Sequence, residues 1–164
     1  MRLTRTLGLV AVTAGVTLSC SDIGPTEVTI ADLAGTWSAS KWEYKDDATG
    51  TVTFNAVSFG FSATITLQSG GSFSGSITVP PAPTASVAGT ASIASGVFTI
   101  TWAQDYNLGL LTLEQAVPLA FDFTLDPSGN LLTLFDEDSE WDFTPTNGED
   151  NTEPASLTVQ FTRS

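Results

Sequence analysis

Phe61-Ser62-Ala63-Thr64-Ile65-Thr66-Leu67-Gln68-Ser69-Gly70-Gly71-Ser72-Phe73-Ser74-Gly75-Ser76-Ile77-Thr78-Val79 reads as two strands and the turn between them. Phe61, Ala63, Ile65 and Leu67 share one parity, with hydroxyl and amide side chains between them. Phe73, Gly75, Ile77 and Val79 repeat the pattern against Ser72, Ser74, Ser76 and Thr78. Alternation with period two means an extended chain with one buried and one wet face. Ser69-Gly70-Gly71 supplies residues that tolerate a positive φ, as a tight hairpin requires.

The same alternation recurs outward from this hairpin. Val117, Leu119, Phe121, Phe123 and Leu125 share a parity, as do Leu157, Val159 and Phe161. Turn signals fall at Asp46 to Gly50, Pro80 to Pro83, Ala94-Ser95-Gly96 and Asp126 to Asn130. Strands are expected at 36–45, 51–59, 61–69, 72–79, 85–94, 97–103, 117–125, 131–136 and 155–163. Tyr106 to Ala116 fits either another strand or a short helical turn. Short turns between closely spaced strands favour an antiparallel meander over parallel crossovers. The expected fold is all-β: an antiparallel up-and-down β-barrel of 8–10 strands, with a β-sandwich as the alternative.

The N-terminus reads differently. Arg2 and Arg5 precede an apolar run from Leu7 to Leu18, and Ser19 precedes Cys20, the only cysteine of the 164 residues. The run spans about 18 Å as a helix, too short for a bilayer. It has the layout of a bacterial lipoprotein signal, with 1–19 removed and the Cys20 thiol lipidated. Residues 20–31 would then be the lipidated cysteine and a tether, and 32–164 the folded domain. This places the protein in a bacterial envelope, anchored by its lipid on the periplasmic or outer-membrane face.

Composition narrows the chemistry. The chain has 18 acidic residues, five basic ones, no histidine and a net charge of −13. Loss of the leader would remove two of the five. So acidic a surface repels nucleic acid, which is not an expected partner. Without histidine or a second cysteine there is no Ser-His-Asp or Cys-His machinery, no usual zinc site and no disulfide within the chain. No cofactor is expected, and no enzymatic activity. Asp136-x-Asp138-x-Glu140 and Glu149 to Glu153 are dense in carboxylates that suit a hard cation such as Ca²⁺, but they lack the EF-hand spacing and read first as solvated acidic loops.

Leu33-Ala34-Gly35-Thr36-Trp37 at the domain entrance and Leu157 to Arg163 at its end together resemble the lipocalin and lipocalin-like (calycin) proteins. That family opens its first strand with Gly-x-Trp and carries a late arginine. The resemblance implies an up-and-down barrel, usually of eight strands, in which Trp37 plugs one end and Arg163 lies across its indole. Independently, Arg163 shares parity with the buried side of its strand, where an indole face is a suitable partner.

Such a barrel either fills itself with side chains or holds one small ligand. The inward set expected to form ligand-binding walls includes Phe61, Ile65, Phe73, Phe98, Trp102, Phe121 and Phe123. Trp42 and Tyr44 are out of phase with Trp37, so either a bulge brings them inside or they form an exposed patch for an envelope protein or a glycan. Two functions follow: non-catalytic binding of a small hydrophobic or amphiphilic ligand, or a structural or interaction lipoprotein with a packed barrel.

Overall fold

The structure is a computed structural model, and it describes residues 27–109, 111–141 and 153–164. The leader and Cys20 lie outside the described residues, as do Leu110 and most of the second acidic stretch. The strands, in chain order, are β1 (Gly35–Asp46), β2 (Val52–Asn55), β3 (Ser62–Leu67), β4 (Ser72–Thr78), β5 (Ala85–Ala94) and β6 (Val97–Trp102). They continue with β7 (Tyr106–Asn107), β8 (Thr112–Leu113), β9 (Leu119–Leu125), β10 (Leu131–Trp141) and β11 (Glu153–Arg163).

Eight of these, β1, β3, β4, β5, β6, β9, β10 and β11, pair antiparallel in that order, and β11 pairs with β1 to close the ring. Closure leaves no two separate layers, so the sandwich alternative is excluded. It also satisfies the backbone groups that an open edge would present to other chains. The inner faces carry the alternating apolar residues read from the sequence: Ala63, Leu67, Phe73, Ile77, Phe98 and Phe121 are all buried. Val28 and Ile30 also pack against this core, ahead of β1.

The ladders are staggered. Gly35 at the start of β1 is level with Leu67, then Phe73, Gly89 and Trp102. Continued through β9, β10 and β11, the same row returns near the far end of β1, where Asp46 pairs with Ala155. Such stagger tilts the strands and holds the interior open enough to be filled or occupied. At Gly89 the inward position must be bare. A Cβ there would run into the Thr101 carbonyl oxygen and the Phe73 ring.

Three segments depart from the expected strands. Residues 51–59 were expected as one strand, but only Val52–Asn55 pairs; Ala56–Phe59 is a 3₁₀ turn. The Asn55 side chain accepts from the Ser58 N–H, and Gly60 ends the turn with φ 87°. Those are helix-capping residues, and they outcompete the ladder locally. The segment read as 131–136 extends to Trp141, because Ser139, Glu140 and Trp141 resume pairing with β11 after an irregularity beyond Asp136. The ambiguous stretch is a miniature hairpin, β7 with β8, whose turn includes Gly109 at φ +84°. It has no helix among the described residues.

Candidate functional site

The two ends of the barrel differ. At the closed end a turn over residues 29–34 precedes β1. The Asp32 carboxylate accepts from the Thr29 N–H at 2.8 Å and the Thr29 hydroxyl at 2.7 Å, and these bonds lower its pKa. The turn seats Leu33 in the core with no exposed surface. The Leu33 carbonyl accepts from Trp37 Nε1 at 2.7 Å. Arg163 is the register partner of Trp37, and its guanidinium lies 4.5 Å from the indole centroid. Its Nη2 donates to the Asp32 carbonyl at 2.6 Å. A cation over an indole contributes about 0.5–2 kcal/mol, depending on how dry it is. Trp37, its cover and its backbone acceptors form one bonded plug.

Above the plug lies a cavity of about 250 Å³. Its walls include Ile65, Phe73, Phe98, Trp102 and Phe121, five of the seven residues expected to face a ligand. Phe61 and Phe123 are elsewhere. Phe61 is buried edge-on against Trp42, with ring centroids 5.9 Å apart, and against Phe54 at 5.7 Å. Phe123 is half-buried beside Phe98, at 6.1 Å. Period-two parity gives the side of the sheet a residue faces; it does not say whether its ring meets the void or a neighbouring ring.

Of the two placements open to Trp42 and Tyr44, a bulge bringing them inside or an exposed patch, the structure shows the first. Both line the cavity and both are buried. The pairing of β1 with β11 slips between Ala39 and Lys41, so Ser40 is the extra residue of a bulge. The bulge restores Trp42 and Tyr44 to the face that carries Trp37. It sends Lys41 and Glu43 outward together, where they form a 2.6 Å ion pair. The exposed aromatic patch considered for a glycan or protein partner is therefore not formed by Trp42 and Tyr44.

Polar wall groups are few: Thr112, Asp136, Ser139 and Glu140, with the Tyr44 phenol. They come from β8, from the far half of β10 and from the far half of β1, which places them at the end opposite the plug. The Asp136 carboxylate accepts from the Ser139 hydroxyl at 2.7 Å and the Asp138 N–H at 3.1 Å. Burial raises the Tyr44 pKa and the Asp136 charge adds to it; the Trp42 N–H opposes both. That N–H influences Tyr44 without reaching hydrogen-bond geometry, and Trp42 Nε1 has no hydrogen-bond acceptor. Trp102 Nε1 has none either.

Two further features shape this end. The β7–β8 hairpin folds over it, with Leu111, Thr112 and Leu113 among the walls. Tyr106 anchors the hairpin: its hydroxyl accepts from the Ala88 N–H at 2.9 Å, and its ring meets Trp102 edge-on at 6.0 Å. Beside it runs a train of rings. Tyr44 stacks on Trp141 at 4.2 Å, Trp141 on Phe54 at 4.8 Å, and Phe54 on Phe59 at 4.9 Å. Phe59 is 64% exposed. Among the described residues, no three His, Cys, Asp or Glu side chains gather in a way that holds a metal ion.

The fold and its closure are those the sequence resemblance implies: eight antiparallel strands in a closed meander, sealed by Trp37 beneath Arg163. No protein-family model matches the chain, and no curated protein matches it. Among solved structures it is similar to a lipocalin-like protein from Bacteroides uniformis, with 19% identity and a TM-score of 0.46, over 81% of this chain and 99% of that one. It is also similar to an uncharacterized protein from Bacteroides eggerthii, with 14% identity and a TM-score of 0.44, over 80% of this chain and 99% of that one.

Proposed function

We propose that this is a lipid-anchored envelope protein whose barrel binds one small hydrophobic or amphiphilic molecule without transforming it. The observation that carries the binding reading is the apolar cavity of about 250 Å³ inside the closed barrel. It lies just under the roughly 300–1,000 Å³ usual for small-molecule sites. At about 30 Å³ per water-sized group, that suits a single short chain better than a multi-ring pigment. The lack of histidine and of a free nucleophilic cysteine supports the non-catalytic part. The anchor at Cys20 and the envelope location rest on the leader's residues.

Native mass spectrometry of the protein purified from its own host tests the binding reading. A bound small molecule, released on denaturation, is the expected result. A clean ligand-free mass, with no uptake of hydrophobic probes, overturns it. Incorporation of radiolabelled palmitate, lost in Cys20→Ala, tests the anchor. The second reading, an interaction protein, has one observation in its favour: Phe59 stands exposed at the end of the aromatic train.

A further inference from the structure

We propose that the guest of this cavity carries a carbonyl oxygen on a short apolar chain, and that the indole N–H of Trp102 is the donor that takes it. This rests on the ligand-binding reading above and adds the class of ligand.

Trp102 is a wall of the cavity, it is only 6% exposed, and its Nε1 is buried with no hydrogen-bond partner. Its surroundings explain why it finds none. Phe73 and Tyr106 meet the indole edge-on, at 5.5 and 6.0 Å. Phe73 fills the space over Gly89, the register partner of Trp102, where a Cβ would lie 2.7 Å from the Phe73 ring. The Tyr106 hydroxyl is spent on Ala88, accepting from its N–H at 2.9 Å and donating to its carbonyl at 3.3 Å. Ring contacts thus hold the indole in place, and an aromatic face is a second-order acceptor. A buried donor without a partner carries a cost that is relieved when an acceptor arrives. With solvent shut off from the nitrogen, the cavity beside the ring is where that acceptor can lodge. The Trp42 N–H also lacks a partner, but it acts on the Tyr44 phenol two residues along β1. Trp102 is therefore the stronger claimant.

The guest's oxygen should be an acceptor and nothing else. The neighbouring walls on β6 and β9, Phe98, Ile100, Leu119 and Phe121, are hydrocarbon. A hydroxyl there would bring a donor that needs a partner of its own, whereas a ketone or ester carbonyl brings lone pairs alone. At about 30 Å³ per group, a cavity of about 250 Å³ holds a chain of about eight.

The test compares octan-2-one with 2-methyloct-1-ene, which keeps the shape and puts a CH₂ group where the ketone has its oxygen. Affinities are measured by calorimetry with the full chain and with Trp102→Phe and Trp42→Phe. Taking the ketone out of water costs the same in each, so the ratio of ketone to alkene affinity isolates the bond. That ratio should fall about tenfold in Trp102→Phe and stay near the parent value in Trp42→Phe. In magnetic resonance spectra of the unsubstituted protein, the Trp102 indole proton should move downfield with the ketone and not with the alkene, a readout that needs no variant to fold. An unchanged ratio in Trp102→Phe, or an indole proton that answers both guests alike, overturns the proposal and leaves the cavity reading standing. A ratio that falls in Trp42→Phe instead overturns it as well. Binding of neither guest removes both readings.

Discussion

Two tryptophans face the interior at opposite ends of the barrel, and their indole nitrogens are treated differently. At the plug, Trp37 donates to Leu33 and lies under Arg163, which in turn donates to Asp32. Near the mouth, Trp102 meets Phe73 edge-on at 5.5 Å and Tyr106 at 6.0 Å, and its N–H goes unanswered. The ring is the same; the polar handle is satisfied at one end and not at the other. The plug is not wholly satisfied either, since Arg163 Nε is buried without a hydrogen-bond partner. The contrast gives the Trp37 indole a sealing role held by hydrogen bonds and leaves the Trp102 indole held by ring contacts.

The sharpest way to break that contrast is to make the same substitution at both ends. Trp37→Phe removes the donor, orphans the Leu33 carbonyl and weakens the surface under Arg163. A buried acceptor without its partner costs about 1–3 kcal/mol, and the lost packing and cation contact bring the expected destabilisation to about 2–4 kcal/mol by urea unfolding. Arg163→Met keeps much of the apolar cover while losing the charge and the Asp32 bond. It should cost about 1–3 kcal/mol. Trp102→Phe trims a ring and also deletes an unpaired buried donor. The two effects oppose, so its stability should move by less than about 1 kcal/mol, while guest binding changes. Equal losses for Trp37→Phe and Trp102→Phe would dissolve the distinction between the ends.

The ring of strands is legible in the letters because its signal is repetitive. Phe61 to Val79 alternates without a break, and the turn glycines fall between alternating runs, so each hairpin is announced twice. Closure is legible only through Gly35-Thr36-Trp37 and Arg163, residues far apart in the chain that meet because β1 and β11 pair. The phase of Trp42 and Tyr44 against Trp37 announces a bulge as one of two possibilities, but not which residue makes it. Ser40 looks like any other serine of the polar face, yet as the bulged residue it reverses the parity of Trp42 and Tyr44 and so adds two walls to the cavity. Asn55 and Gly60 did carry a cap signal, but it was masked by the β-favouring Val52-Thr53-Phe54 run before it. Whether Phe61 or Phe123 faces the void depends on neighbours from other strands, which no local pattern contains.

The smallest expected effect at neutral pH concerns the turn between β9 and β10, which is bonded to the plug by the Arg163 N–H donating to the Asn130 carbonyl at 2.9 Å. The Asp126 carboxylate accepts from the Ser128 hydroxyl, from the Leu131 N–H at 2.6 Å and from the Asn130 N–H at 2.8 Å. These bonds, the Ser128 hydroxyl first, pull its pKa down to about 2. In the unfolded chain the value is about 3.9. The folded value is the lower one, so the contribution is fully present above about pH 4 and is lost as pH falls toward 2. Asp126→Asn keeps an acceptor oxygen and should unfold much like the parent at pH 7. Between pH 4 and 2 its stability should decline less steeply. The slope shrinks rather than vanishes, because Thr29 and Thr49 lower the pKa values of Asp32 and Asp46 in the same direction. Denaturant titrations of both proteins at pH 7, 4, 3 and 2.5 measure this. Parallel curves throughout would mean that the Asp126 turn, although fastened to the plug, adds nothing to it through its charge.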